Sequence, residues 1–306
     1  MILVLGSTGF LGSTVCRLLT ERNREFVGVS LSTGVDLRRE DHTEALFAKV
    51  RPSVVINCAS FVGGIQFGLQ HRSALFTNNL RMTINTYEAL KRHGTPKIVN
   101  PITNCTYPGA ASLFKVEEWW DGPLHDSVAT YGFVKKAIWV ASQAFSKEFP
   151  LVANHVILPN MYGPGDHLDA YRAHALGALV AKFVRAKRNG DPSVNVWGTG
   201  APIREWLHIR DGAEALVRAI DVTTGEQPVN VGRAEGISVK DLAHLIRAAV
   251  DVDCEIVFDP TKPDGAPMKT IDGSTGAKAL NWTPQISLAD GLRETVAWYS
   301  EHLPSE

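Results

Sequence analysis

Cysteine and long apolar runs are scarce in this chain. Its four cysteines, at positions 16, 58, 105 and 254 of 306 residues, lie far apart. Because no CxxC or CxxH spacing occurs, the sequence indicates neither a metal site nor a disulfide framework. No apolar run reaches the about 18 residues of a membrane span, and the opening MILVLGSTG has no basic region and no cleavage pattern of a signal peptide. We therefore expect a protein of the reducing cytoplasm.

The chain also lacks an excess of charge of either sign. The chain has 31 basic and 32 acidic residues, a net charge of −1. This balance favours neither a nucleic-acid partner nor an anionic membrane surface. With 44% apolar and 21% charged residues, the composition is that of a globular protein and excludes a disordered one. The length allows one large domain or two closely joined domains.

The first half of the chain alternates between strand and helix patterns. Short apolar runs predict strands at 2–5, 26–29, 54–56, 98–99 and 152–158. Helical spacing predicts helices over 11–21, 43–50, 74–92 and 131–149. This alternation is typical of βαβ units, so we predict an α/β Rossmann fold, a doubly wound parallel sheet with helices on both faces.

The regular alternation of predicted strands and helices ends after residue 162. Helices are predicted over 172–188, 238–250 and 288–302, with strands at 194–197 and 255–258. We expect a dinucleotide-binding domain formed by 1–162 and 205–233. A smaller α/β C-terminal domain, formed by 163–204 and 234–306, would bind the substrate.

A glycine-rich loop follows the first predicted strand. Gly6, Gly9 and Gly12 have GxxGxxG spacing between a strand and a helix. Such glycines permit a tight turn, close approach to a pyrophosphate and close helix packing, and the helix N-terminus favours phosphate. A purely structural glycine turn is the alternative, but the strand–turn–helix context favours dinucleotide binding.

The end of the second predicted strand bears on the choice of cofactor. An acidic residue there would bind the ribose 2′-hydroxyl of NAD. The sequence has Val-Ser-Leu-Ser at 29–32, with neither an acid nor an arginine. Since no acid would repel a 2′-phosphate, we favour NADP(H) over NAD(H).

A tyrosine and a lysine have YxxxK spacing. Tyr131 and Lys135 would lie on one helix face. A cation beside a phenol should lower the phenol pKa and provide a proton donor for carbonyl/alcohol interconversion. Alone, the pair could be part of an amphipathic helix with a surface lysine. A glycine loop upstream favours the catalytic interpretation.

Six further motifs are spread along the chain. They are VGGI at 62–65, NCTYP at 104–108, YGFVK at 131–135, NMYGP at 160–164, VWGTGAPIREWLH at 196–208 and KPDG at 262–265. With these motifs, nearly the whole chain resembles the extended short-chain dehydrogenase/reductases, and within them the GDP-L-fucose synthase family. Members of this family epimerise GDP-4-keto-6-deoxy-D-mannose and then reduce it. The resemblance implies an NADP(H)-dependent epimerase/reductase acting on a 4-keto nucleotide sugar, with a GDP-sugar favoured.

The resemblance also implies roles for five catalytic residues. Tyr131 would protonate the sugar O4, Lys135 would tune Tyr131 and hold the nicotinamide ribose, and Thr103 replaces the family's serine. Cys105 and His174 match the acid/base pair of epimerisation. A C4 ketone acidifies the C–H bonds at C3 and C5, so a thiol and an imidazole on opposite sides of the ring could invert both centres. Without the family, Cys105 would be a buried small side chain and His174 a capping or surface residue.

Further residues follow from the same correspondence. Cofactor contacts are expected from Gly6, Thr8, Gly9, Phe10, Leu11, Gly12, Asp36, Leu37, Ala59, Ser60, Asn79, Tyr131, Lys135, Pro159 and Met161. Substrate contacts are expected from Gly64, Asn160, Lys182, Trp197, Arg204 and Lys269. Arg204 offers a bidentate fork for phosphate, whereas Lys182 stands where the family has arginine. No metal is implied.

Three segments depart from the family pattern, at 66–69, 127–130 and 171–173. We expect them around the sugar, so the substrate could differ. One alternative is a single-function epimerase or 4-ketoreductase acting on a heptose or an antibiotic deoxysugar. Another is a non-catalytic NADP(H)-binding regulator, although such proteins typically lose the YxxxK pair.

The family further implies a homodimer formed through a four-helix bundle. The predicted helices over 74–92 and 131–149 carry more apolar residues than a single core-facing stripe would need. These residues are Leu80, Ile84, Leu90, Ile138, Val140 and Phe145. A closed two-fold dimer is also the commonest oligomer.

Overall fold

The computed structural model describes residues 1–169, 171–262 and 264–304. Ala170, Pro263, Ser305 and Glu306, which fall in the predicted substrate domain, lie outside the described residues. The strands are β1 (Ile2–Leu5), β2 (Phe26–Val29), β3 (Val54–Asn57), β4 (Lys97–Thr103), β5 (Leu113–Phe114), β6 (Val152–Leu158), β7 (Asn160–Tyr162), β8 (Ser193–Trp197), β9 (Ile203–Arg204), β10 (Trp206–His208), β11 (Val229–Asn230), β12 (Ile237–Ser238), β13 (Glu255–Asp259) and β14 (Met268–Ile271).

Ten α-helices connect the strands within the described residues. They are α1 (Phe10–Glu21), α2 (Glu40–Val50), α3 (Ile65–Gln70), α4 (Arg72–His93), α5 (Ala129–Ser146), α6 (Ala175–Asn189), α7 (Ile209–Arg218), α8 (Val239–Val250), α9 (Ser274–Leu280) and α10 (Leu288–His302). The long helices α4 and α5 begin two residues earlier than predicted. Helix α6 begins three residues later than predicted, because His174 has extended backbone angles and caps the helix.

The main sheet has six parallel strands in the order β11-β6-β4-β3-β1-β2. The chain moves from β1 to β2 on one side and then crosses to β3 on the other side of β1. This reversal opens a crevice at the carboxyl ends of β1 and β3, where doubly wound folds bind their ligands. The predicted fold class is confirmed.

Strand β1 shows why both faces of the sheet are covered. Its side chains alternate, so Ile2 and Val4 enter one apolar core while Leu3 and Leu5 enter another. Helices α1 and α7 supply the first core with side chains such as Leu18 and Leu216. Helices α2, α4 and α5 cover the second core, and all four β1 side chains are buried.

A third core lies around α6, α8 and α10. It contains Phe183, Ile246 and Tyr299, and beside it β8 pairs in parallel with β13. A four-stranded sheet, β12-β9-β14-β5, joins this region to β5 of the first half of the chain. Leu280, at the end of α9, packs into the first core. The division into two domains at the predicted boundaries stays a proposal.

The cysteines and the helix composition give two further properties of the described residues. All four cysteines are free, with Cys254 buried and the other three partly exposed. In the part of the chain that the structure describes, no helix combines the length and the apolar character that crossing a membrane requires.

Candidate active site

The glycine loop forms a close-fitting turn at the mouth of the crevice. Gly6 has a φ of 77°, and a Cβ atom there would lie 2.7 Å from the backbone nitrogen of Ala59, which follows β3. A Cβ on Gly12 would lie 2.1 Å from the Gly6 carbonyl oxygen. Only glycine fits either position. The loop leads directly into the N-terminus of α1, which begins at Phe10. Such a turn provides backbone N–H groups for a pyrophosphate.

The segment after β3 is held in place by Asn79 of α4. The Asn79 side chain accepts from the Phe61 N–H at 3.0 Å and donates to the Phe61 carbonyl at 2.9 Å. The Ser60 hydroxyl lies 3.2 Å from the same Asn79 oxygen. Ala59, Ser60 and Asn79, all predicted cofactor residues, are thus brought together beside the glycine loop.

Tyr131 and Lys135 lie on the first turns of α5. The lysine Nζ is 5.8 Å from the centre of the tyrosine ring. Burial raises the pKa of Tyr131 to about 12, a hydrogen bond with Ser60 acting in the opposite direction. Burial also lowers the pKa of Lys135 to about 8. The expected lowering of the phenol pKa is therefore wrong, because desolvation by burial raises the pKa of Tyr131. At neutral pH Tyr131 is protonated and can donate a proton.

Cys105 lies in a single 3-10 turn at 104–106, directly after β4. The Thr103 hydroxyl caps this turn by accepting from the Cys105 N–H at 3.2 Å. The Nζ of Lys269, on β14, lies 4.0 Å from the Cys105 Sγ. A Cβ on Gly132 would meet the Cys105 carbonyl at 2.4 Å, so the turn packs against the start of α5. The Cys105 backbone thus packs against the start of α5, and its thiol lies close to a cation from the second half of the chain.

Arg204 adds a second cation to this region. It lies on β9, next to β14, and its NH1 and NH2 groups donate to the Ile203 and Asp264 carbonyls at 2.7 and 3.1 Å. Burial lowers its pKa, while Asp264 and Cys105 act to raise it. The guanidinium remains charged, since arginine is not deprotonated in proteins. Lys269 and Arg204 together suit an anionic ligand.

His174 is oriented by a carboxylate that sequence reasoning missed. The Asp166 side chain is 1% exposed, and its Oδ1 lies 2.9 Å from the His174 Nδ1. Its Oδ2 accepts from the His174 backbone N–H at 3.0 Å. The imidazole packs 5.4 Å from the ring of Phe10, in the glycine loop. A carboxylate on Nδ1 leaves Nε2 as the free nitrogen for proton transfer. The aspartate directly after YGPG was the available signal.

Glu205 is a second residue that the sequence did not assign. Its side chain is buried, and its two oxygens accept from the Arg233 N–H at 2.5 Å and the Ile271 N–H at 2.7 Å. Its backbone N–H donates to the Lys269 carbonyl at 3.0 Å. Asn160 donates to the Glu205 carbonyl at 3.1 Å. Glu205 therefore positions β14 and, through it, Lys269.

Trp197 lies farther out, at the end of β8. It is 52% exposed, and the Nζ atoms of Lys182 and Lys262 lie 5.8 and 5.7 Å from its ring. Lys182 also donates to the Asn195 carbonyl at 2.8 Å, and burial lowers its pKa. An exposed aromatic ring beside two ammonium groups can stack a planar base and attract phosphate.

Other predicted residues occupy less direct positions. Leu11, Leu37 and Met161 turn their side chains into the apolar cores. The Asp36 carboxylate is paired with Arg38 at 2.7 Å. Pro159, which is buried, links β6 to β7. A Cβ on Gly64 would lie 3.4 Å from the Tyr171 and Ala173 carbonyls, so Gly64 faces the segment that leads to His174.

Comparison with known proteins agrees with this geometry. Residues 2–232 match the model of the NAD dependent epimerase/dehydratase family. GDP-L-fucose synthase 1 of Arabidopsis thaliana is 33% identical, over 99% of this chain and 94% of the relative.

The chain belongs to this family, in its GDP-L-fucose synthase branch.

Two further relatives agree with the assignment. GDP-L-fucose synthase of Sinorhizobium fredii is 32% identical over 96% of this chain and 93% of its own length. The crystal structure of a GDP-L-fucose synthetase from Naegleria fowleri bound to NADP is 27% identical with a TM-score of 0.89, covering 98% of this chain and 92% of that one. The predicted resemblance is confirmed, and the chain is an NAD(P)-dependent epimerase/reductase. The fit of Gly6 and Gly12 to a pyrophosphate cradle is the structural counterpart of that assignment.

Proposed function

We propose that this enzyme epimerises a GDP-4-keto-6-deoxy-hexose at C3 and C5 and then reduces its C4 ketone with NADPH. The observation that carries the proposal is the position of Cys105, whose backbone packs against the start of α5 and whose thiol lies 4.0 Å from the Lys269 Nζ. Simple hydride transfer needs no thiol at that point. The names of the fucose synthase relatives and the NADP-bound neighbour support the same substrate class and cofactor.

Epimerisation would use Cys105 and His174. The C4 carbonyl makes the neighbouring C–H bonds acidic, so a base can remove a proton and leave an enolate on O4. The acid then returns a proton to the same carbon from the other face, which breaks one C–H bond and forms another. The two groups come from separate segments, the turn after β4 and the residue before α6. Lys269 and Arg204 would stabilise the negative charge that develops near the thiol.

Reduction would use Tyr131 and Lys135. NADPH, when bound, supplies the hydride that converts the C4 ketone to an alcohol. Because burial keeps the pKa of Tyr131 at about 12, the phenol is a proton donor at neutral pH and can protonate O4. Ser60, which hydrogen-bonds to Tyr131, would replenish and orient that proton. Lys135 would hold the nicotinamide ribose.

The second half of the chain would bind the GDP moiety. Trp197 would stack on the base, and Lys182 with Lys262 would attract the diphosphate. We place this activity in the cytoplasm, where four free cysteines are stable.

We also propose a homodimer formed by α4 and α5. Phe76 and Phe133 are exposed and stacked at 6.2 Å between ring centres, and Ile84 and Val140 extend the apolar strip at 58% and 50% exposure. Leu90 and Ile138, which we expected on this face, are buried within the chain because they pack into the second core. The exposed strip is the surface that a second copy would cover.

The experiment follows NADPH oxidation and solvent deuterium uptake together. The purified chain is supplied with GDP-4-keto-6-deoxymannose in D₂O, and NMR monitors C3 and C5. We expect deuterium at both carbons and oxidation of NADPH. Exchange without oxidation would identify an epimerase, and oxidation without exchange a reductase, either of which would refute the bifunctional proposal.

Two variants assign the steps to residues. Tyr131→Phe should lower reduction by about 10²–10⁴-fold and leave exchange intact, because it removes only the proton donor. Cys105→Ser should abolish exchange and allow reduction of the unepimerised ketone, because a hydroxyl is a far weaker acid than a thiol. Undiminished exchange in Cys105→Ser would mean that the cysteine only packs.

A further inference from the structure

Two of the three segments that depart from the family pattern touch each other. Phe67 belongs to the departing segment at 66–69, and Tyr171 belongs to the one at 171–173. Their rings lie 5.6 Å apart, edge to face. Phe61 and His71 pack 5.3 and 4.7 Å from the same Phe67 ring. These four rings form an aromatic clasp between the segment around α3 and the segment that leads into α6.

The Tyr171 hydroxyl adds hydrogen bonds to the aromatic clasp. It donates to the Gln70 Oε1 at 2.6 Å and lies 3.0 Å from the His71 Nε2. A phenol oxygen can donate one proton and accept another, so both partners can be served at once. Gln70 and His71 are exposed, whereas Phe67 is 7% exposed. The clasp therefore combines a buried apolar contact with an exposed polar one.

The loop that carries His174, formed by 166–169 and 171–174, has bonds within its own half of the chain. Asp166 accepts from the backbone N–H groups of His167 and His174 at 2.8 and 3.0 Å. Tyr299 of α10 donates to the His167 carbonyl at 3.1 Å. These three bonds set the shape of the His174 loop and join it to α10, but they do not extend to the segment after β3.

The aromatic clasp ties the His174 loop to that segment. A Cβ on Gly63 would lie 2.6 Å from the Phe67 ring, so Phe67 packs on the backbone of the VGGI motif. A Cβ on Gly64 would lie 3.4 Å from the Tyr171 carbonyl. Because only two residues separate Tyr171 from His174, a displacement of the clasp would be passed on to the imidazole.

We propose that Tyr171 is a positioning residue for the epimerisation step, which it serves by holding the His174 loop against α3. This inference rests on the proposed function. Proton transfer requires a base within hydrogen-bond reach of the proton that it removes, and a misplacement of about 1 Å can lower a rate by about 100-fold. Tyr171 acts through His174, so its loss should slow C–H exchange and spare dinucleotide binding.

The test compares the kinetics of solvent exchange with the binding of NADPH. The full chain is supplied with GDP-4-keto-6-deoxymannose in D₂O without NADPH, and NMR at C3 and C5 gives kcat and KM for exchange. Tyr171→Phe removes the hydroxyl and keeps the ring, so it should lower kcat by about tenfold, the value of one to two hydrogen bonds. Tyr171→Ala also removes the ring contact and should lower kcat by about 100-fold.

Two readouts distinguish positioning from a general structural defect. In both variants KM for exchange should stay within about twofold of the wild type, because binding of the nucleotide does not depend on the imidazole. NADPH binding, followed by nicotinamide fluorescence, should also stay within about twofold, which shows that the variants fold. Thr20→Val is the control for loss of an exposed hydroxyl, since Thr20 donates to the Cys16 carbonyl on α1, and it should leave exchange unchanged.

The hydrogen-bond partners provide a second test. In the double variant Gln70→Leu/His71→Ala, the Tyr171 hydroxyl has lost both partners on the α3 side. Adding Tyr171→Phe to this double variant should then cause less than about a twofold further loss of kcat. Groups that act through one contact give losses that do not add, whereas independent groups give additive losses.

The outcomes separate this inference from the proposed function. Exchange within twofold of the wild type in Tyr171→Phe, or additive losses in the combined variant, would refute the role of Tyr171 and leave the enzyme assignment standing. Equal losses of exchange and NADPH binding would refute it as well. Absence of exchange in the wild-type chain would refute the proposed epimerisation itself. Loss of kcat alone, without additivity, would support both.

Discussion

Replacement of Asp166 by asparagine tests whether the orientation of His174 matters for proton transfer. The Asp166 carboxylate accepts hydrogen bonds from the backbone N–H groups of His174 and His167 at 3.0 and 2.8 Å. One of its oxygens also lies 2.9 Å from the His174 Nδ1. Asparagine has nearly the same size but only one acceptor oxygen. Its NH₂ group would face at least one of these N–H groups, and no charge would remain to stabilise the protonated imidazole.

The size of the effect follows from that geometry. A hydrogen bond to a charged group contributes about 1.5–3 kcal/mol, which corresponds to a rate factor of about 10–100. The site is buried, with 1% of the Asp166 side chain exposed, so water cannot replace the lost contact. We therefore expect solvent exchange at C3 and C5 to fall by about 100-fold in Asp166→Asn. NADPH binding should change little, because the carboxylate contacts His174 rather than the glycine loop.

The assay is deuterium incorporation from D₂O into the 4-keto nucleotide sugar, followed by NMR without NADPH. Asp169→Asn is the matched control, since Asp169 is exposed three residues away and its side chain accepts from the Tyr171 N–H. Exchange should be slowed in Asp166→Asn and stay unchanged in the control. Exchange within twofold of wild type in Asp166→Asn would show that the pair is structural and that His174 needs no carboxylate.

The remaining predictions concern assembly and stability. Light scattering at micromolar concentration should give a dimer mass for the wild type and a monomer mass for Ile84→Glu. The substitution places a charge in the exposed apolar strip of α4. A monomeric wild type would contradict the proposed interface. Burial lowers the pKa of His155 to about 3, below the about 6.5 of an unfolded histidine, so the unfolded chain binds more protons between these values and stability falls as the pH drops through that window. In urea unfolding, His155→Gln should reduce the loss of unfolding free energy between pH 7 and pH 5 by about 2 kcal/mol relative to the wild type, whereas the exposed His244→Gln should leave that loss unchanged. Glu205→Gln should lower the unfolding free energy by about 1–3 kcal/mol in calorimetry, because an amide cannot accept from both the Arg233 and Ile271 N–H groups; an unchanged melting temperature would exclude this role.

Local patterns in the sequence determined most of the fold. The alternation of apolar strands and amphipathic helices predicts the parallel sheet, since period and turn residues are local properties of the chain. The spacing of Gly6, Gly9 and Gly12 predicts the cofactor loop for the same reason. The YxxxK spacing alone indicates Tyr131 and Lys135, whereas Cys105 and His174 follow only from the family resemblance. Helices α4, α5 and α6 begin two or three residues away from their predicted starts, because a helix start depends on backbone angles such as those of His174.

Only the tertiary structure decided how these groups affect one another. Lys269 reaches Cys105 across 164 residues of sequence, and Thr8 reaches Ser30 across 22, so no local pattern reveals either contact. The phenol pKa of Tyr131 also depends on burial by distant segments, which reverses the direction that the YxxxK spacing suggested. Asp166 can orient His174 only because tertiary packing buries its carboxylate and places it against the imidazole. The sequence thus determines which chemical groups are present, whereas packing determines their charge, orientation and partners.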